Sequence, residues 1–107
     1  MKTYKGKILR IYLEENDKYD KKALYEWLLD RAIELNIAGA TVIRGMEGFG
    51  AKKHFHTVHI LSISLNLPVI IEIVDSKEKI EAFIEQVKEP LKGCLTTIQD
   101  IEISLNK

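Results

Sequence analysis

Between residues 44 and 57 the sequence reads RGMEGFGAKKHFHT. Gly45, Gly48 and Gly50 fall within six residues, with Arg44, Lys52 and Lys53 around them and Glu47 the single acid from Arg44 to His59. Glycine admits positive φ and the close approach of a second backbone, so its N–H groups can face a ligand. Guanidinium and ammonium groups add donors and charge. The chemistry open to such a segment is to hold a phosphate or an acidic partner. The spacing is neither a dinucleotide fingerprint nor a Walker A loop, and no helix follows to aim its N-terminus at an anion. From the residues alone, a solvated hairpin whose glycines relieve turn strain accounts for the segment equally well.

Three histidines follow. His54 and His56 would share one face of a strand and, with Glu47, form the alternative metal-ligating set, while His59 would point away. A closed three-ligand site within one chain would need irregular backbone there. Solvent-facing or anion-binding histidines are the expected reading, and no metal is assigned. Cys94 has no histidine near it in sequence and reads as a small buried residue beside the last strand. No Ser-His-Asp spacing and no isolated carboxylate pair occurs. No catalytic residue is assigned, and the chain is expected not to be an enzyme.

These residues must be positioned by a small scaffold. The chain has 107 residues, 46% hydrophobic and 30% charged, which predicts one soluble globular domain spanning 1–107. A formal net charge of zero argues against a dedicated nucleic-acid binder, because counterion release needs a concentrated cationic surface. One cysteine fits a reducing compartment, and no apolar run approaches a membrane-spanning length, so a cytoplasmic protein is expected.

Alternation predicts a first strand from Lys7 to Leu13, with Leu9, Ile11 and Leu13 on one face and Ile8, Arg10 and Tyr12 on the other. A helix is predicted from about Lys21 to Leu35, capped by Asp20, with Leu24, Trp27, Leu28, Ala32 and Leu35 as its buried stripe. Strands follow at Ala40–Arg44, Val58–Ser64 and Val69–Val74. The stretch DSKE reads as a capping box, Asp75 capping while Glu78 reaches back, before a second helix that buries Ile80, Phe83, Ile84 and Val87 and ends at Pro90. The last strand lies between Leu95 and Leu105. Ile98 is out of step with Ile101, Ile103 and Leu105, so a bulge or turn is expected near Gln99. The order predicts a ferredoxin-like α/β sandwich, βαββαβ, with both helices on one sheet face. Ile8, Arg10, Tyr12, Ile70, Glu72 and Val74 would line the other face, half of them apolar, a surface suited to another subunit.

The strings AGATVIRGMEGFG (38–50), LNLPVIIEIVDS (66–76) and YEWLLDRAIELNIAGAT (25–41) resemble the PII-like signalling proteins, in particular a small branch described as a domain of unknown function. The likeness spans nearly the whole chain. It implies a ferredoxin-like subunit, a homotrimer and a long loop between strands two and three. In that family the loop meets a target protein, and its base helps to bind an adenine nucleotide between subunits. On these matches Arg44, Gly45, Gly48, Gly50, Lys52 and Lys53 become the expected effector site, and segment 45–57 the partner-facing loop. Lys92 and Gly93, in EPLKGCL, stand where PII has a glycine-rich phosphate loop. The C-terminal arginines that hold phosphates in PII have no counterpart in IEISLNK, and no tyrosine lies between Gly45 and Thr57. AMP, ADP or ATP is thus the expected effector, with no obligatory cofactor.

Overall fold

The computed structural model describes residues 1–51 and 66–106, and the backbone of 56–57. Among them the chain runs β1 (Lys2–Glu14), β2 (Lys18–Tyr19), β3 (Lys22–Ala23), α1 (Leu24–Glu34), β4 (Gly39–Arg44), β5 (Glu47–Gly48), β6 (His56–Thr57), β7 (Pro68–Asp75), α2 (Lys77–Gln86) and β8 (Leu95–Leu105). Four strands form one antiparallel sheet in the order β4-β7-β1-β8. The units β1-α1-β4 and β7-α2-β8 therefore interleave, which is the ferredoxin-like topology. The predicted strand at Val58–Ser64 lies outside the described residues.

Alternation decides which side of the sheet is dry. Leu9, Ile11 and Leu13 of β1 join Val69, Ile71 and Ile73 of β7 in one cluster with Leu24, Leu28 and Ala32 of α1 and Ile80, Phe83 and Val87 of α2. Both helices thus cover the same sheet face. The opposite face carries the pairs Ile8↔Val74, Arg10↔Glu72 and Tyr12↔Ile70, as the period of two predicts. Across it Arg10 donates from Nε to Glu72 at 2.9 Å and from Nη1 to Gln99 at 3.0 Å.

Three local expectations are corrected. Asp20 does not cap α1. Asp20 and Lys21 have φ of 54° and 64°, the left-handed pair that closes the two-residue β2–β3 hairpin. The helix starts only at Leu24, whose N–H donates to the Asp17 carbonyl, and Ala23 at its N-cap makes no side-chain bond. The capping box is absent as well. Asp75 ends β7 on the buried face, where its carboxylate accepts from Ala38 N at 2.8 Å and Ser76 N at 2.6 Å. Ser76 caps α2 instead, accepting from Lys79 N. That helix ends at Gln86, ahead of Pro90, and turns carry the chain to β8.

Nor is there a bulge at Gln99. The β1–β8 ladder is unbroken from Tyr12↔Leu95 to Lys2↔Leu105. The apolar phase changes because successive residues serve different faces. Ile98 lies opposite Leu9 on the helix side, at a sheet edge where it stays 53% exposed. Ile101 and Ile103, opposite Gly6 and Tyr4, belong to the other face.

Candidate functional site

Two segments far apart in sequence meet at the loop base. Gly50 packs on Tyr12, where an added Cβ would stand 3.7 Å from the Tyr12 Cβ. Gly93, at φ +86° in the turn before β8, reaches the same place. Gly50, Ala51, Gly93 and Cys94 line a small cleft with Tyr12, Leu13, Glu14 and Asp17. The φ of Gly93 explains the residue: a side chain there would be strained even though nothing stands in its way.

On the other side of the loop a groove of about 190 Å³ opens between Tyr12, Gly45, Gly48, Phe49, Gly50, Pro68 and Ile70. Its position follows from the sheet. Tyr12 and Ile70 are cross-strand partners on the face away from the helices, and the glycine segment folds back over them. Gly45 is fixed by its N–H, which donates to the Pro68 carbonyl at 2.7 Å. A Cβ at Gly45 would press on the Pro68 ring at 3.0 Å, so the close approach itself calls for glycine.

Of the expected residues, Gly45, Gly48 and Gly50 line the groove, and Gly50 and Gly93 share the cleft. Lys92 is exposed in the adjoining turn. Lys52, Lys53 and His54, with the His56 side chain, lie outside the described residues. Glu47 is exposed in β5, and no cluster of metal-ligating side chains occurs among the described residues.

Arg44 goes elsewhere. As the partner of Val69 it belongs to the helix side of the sheet, opposite the groove, and its guanidinium donates to the Glu15 carboxylate. Tyr25 of α1 stands beside this pair. Burial pushes its phenol pKa up, Glu26 and Glu15 push the same way, and Arg44 opposes them. Glu15 carried no signal in the sequence because it sits 29 residues from Arg44 and only the β1–β7–β4 topology joins them. The segment that looked poor in acid is thus supplied with a carboxylate from the end of β1.

The model of one family matches residues 6–103: DUF190, described as "Uncharacterized ACR, COG1993". The chain belongs to the DUF190 family. A UPF0166 protein of Aquifex aeolicus is 38% identical over 103 residues, covering 96% of this chain and 97% of the relative. Among solved structures the DUF190 chain is similar to CPII, a nitrogen regulatory PII-like protein from Thiomonas intermedia K12 bound to ADP, AMP and bicarbonate. The TM-score is 0.70 at 20% identity, over 95% of this chain and 91% of CPII. It is also similar to a PII-like signaling protein, TTHA0516, from Thermus thermophilus, with a TM-score of 0.67 at 16% identity over 96% and 93% of the two chains. The DUF190 subunit therefore has the PII-like fold that its sequence resembles.

Proposed function

We propose that this DUF190 chain, as a single PII-like domain, is a non-enzymatic cytoplasmic regulator that binds an adenine nucleotide and presents segment 45–57 to a target protein. The observation that carries the reading is the meeting of Gly50 and Gly93 beside Tyr12, which joins the loop base to the turn before β8. The groove beside it offers Tyr12, Phe49 and Pro68 as apolar walls for a flat ring, with backbone of the glycine segment at its rim. CPII, which shares the fold, was solved with ADP and AMP. Phosphates would lie toward Gly93 and Lys92, with Lys52 and Lys53 closing from the loop. With no PII-type phosphate loop and no C-terminal arginines, few cations reward a third phosphate, so AMP or ADP rivals ATP.

The site is completed by a neighbour. The sheet face that carries Ile8, Tyr12, Ile70 and Val74 is too apolar to remain wet, and a homotrimer covers it and closes the groove. Light scattering at micromolar concentration is expected to give three times the subunit mass, reduced by Ile70→Asp, which would bury an unpaired charge. Calorimetry with AMP, ADP and ATP tests the ligand. Lys92→Ala and the Lys52→Ala, Lys53→Ala pair should each weaken binding by roughly 1–3 kcal/mol through lost charge-assisted hydrogen bonds. No binding at millimolar nucleotide would end this reading.

A further inference from the structure

The two ends of the loop that separates β4 from β7 are tied to one another and to the segment that follows β1. Gly45 N donates to Pro68 O at 2.7 Å, and Glu15 N donates to Leu67 O at 2.8 Å. Asn16 N donates to Asn66 Oδ1 at 2.9 Å, and Asn66 Nδ2 returns a bond to Glu14 Oε1 at 3.1 Å. Every one of these joins residues 14–16 or Gly45 to residues 66–68, the returning end of the loop. The departing end gains one further link to β1, the ion pair of Arg44 with Glu15. The pair is asymmetric. Glu15 is 18% exposed and anchored through its own backbone, whereas Arg44 is 61% exposed on a flexible stem.

We propose that Glu15 and Arg44 form an anion-sensitive clasp. The Glu15 carboxylate occupies the place on the guanidinium that a phosphoryl group arriving from solvent would take, and displacement of Glu15 loosens the departing end of the loop. A phosphate oxygen pair matches the guanidinium fork as well as a carboxylate does and brings more charge. The exposed side of Arg44 gives it access without disturbing the core. Because Arg44 lies on the opposite sheet face from the groove, the clasp is a control on the loop and not a wall of the ring slot. It deepens the effector reading above, resting on it for the physiological source of the phosphate.

Amide hydrogen exchange followed by NMR tests the clasp without any nucleotide. Loss of the pair in Glu15→Gln or Arg44→Gln should speed exchange of the Gly45 N–H by about tenfold, which corresponds to roughly 1.4 kcal/mol of local opening. The double variant should show no further increase, because both changes break one contact. In the parent protein, inorganic phosphate should accelerate the same amide toward the variant rate, while chloride at equal ionic strength should not. In Glu15→Gln phosphate should add nothing. A parallel ADP arm tells whether free or nucleotide phosphate opens the clasp, and action by either fulfils the proposal. Exchange within twofold of the parent in both single variants, or equal responses to phosphate and chloride with no response to ADP, would overturn it. Failure of nucleotides to bind in calorimetry would remove the effector reading and leave the variant exchange rates as the measure of the clasp.

Discussion

Gly6 is the position at which a single methyl group should do most harm. It is buried in β1, one residue before the last β1–β7 pair, Lys7↔Asp75, with Ile101 of β8 opposite. A Cβ built there would overlap Cδ1 of Ile103, stand 3.0 Å from its Cγ1 and lie 2.7 Å from the Asp75 carbonyl oxygen. The Ile103 side chain can turn away, but the carbonyl belongs to the end of β7 and cannot. Overpacking of this kind costs about 1–3 kcal/mol, and the backbone contact places Gly6→Ala near the top of that range. For a domain of this size about 3 kcal/mol lowers Tm by roughly 12–24 °C. Urea titration at a fixed protomer concentration gives the free energy directly, since subunit association makes stability depend on concentration. Adding Ile103→Ala should recover about 1–2 kcal/mol of the expected sum, because the new methyl enters the vacated space. A Gly6→Ala protein within about 0.5 kcal/mol of the parent, the range of an ordinary surface change, would refute the reasoning. Strict additivity in the double variant would refute the Ile103 part of it.

Ser76→Ala should cost about 1 kcal/mol in the same titration, since it leaves the Lys79 N–H without its cap, and Ser76→Asp should restore most of it. The Lys7 ammonium 2.5 Å from Asp100 holds that carboxyl below the usual aspartate range. A depressed folded pKa stabilises above the unfolded value and is lost as pH falls through the folded one. Asp100→Asn should therefore leave a shallower acid limb below the ordinary aspartate range, visible in thermal unfolding against pH; an unchanged limb would show the pair to be fully screened.

What the sequence made legible follows from the range of the forces involved. Period-two alternation in β1 and β7 is a local signal enforced by a buried face, so the pattern alone separates Leu9, Ile11 and Leu13 from Ile8, Arg10 and Tyr12. The helix start failed because the hairpin at Asp20–Lys21 requires left-handed backbone that no glycine or asparagine announced. Asp75 failed as a cap because its place at the end of a buried strand recruits it to the Ala38 amide, a contact set by tertiary packing. The phase change in β8 looked like a bulge because alternation alone cannot tell an extra residue from an edge strand that presents different faces along its length. For the candidate site, glycine spacing pointed to the loop base, and the likeness to PII pointed to Lys92 and Gly93. The approach of Gly50 to Gly93, and the pairing of Arg44 with Glu15, depend on strand order and could not be read from spacing.

The stitch between Gly45 and Pro68 has a consequence for how this scaffold can change over time. It closes the ring on its own, beside the last β4–β7 pair, Arg44↔Val69. Beyond that point the chain is a cassette. Doubling its length adds only about 0.6 kcal/mol of closure entropy, less than one buried methyl group is worth. Insertions, deletions and wholesale exchange of residues 46–66 are therefore nearly invisible to folding. Recognition can diverge quickly there while the sheet stays constant, and a foreign peptide grafted between the same two residues should be carried as readily as the native one.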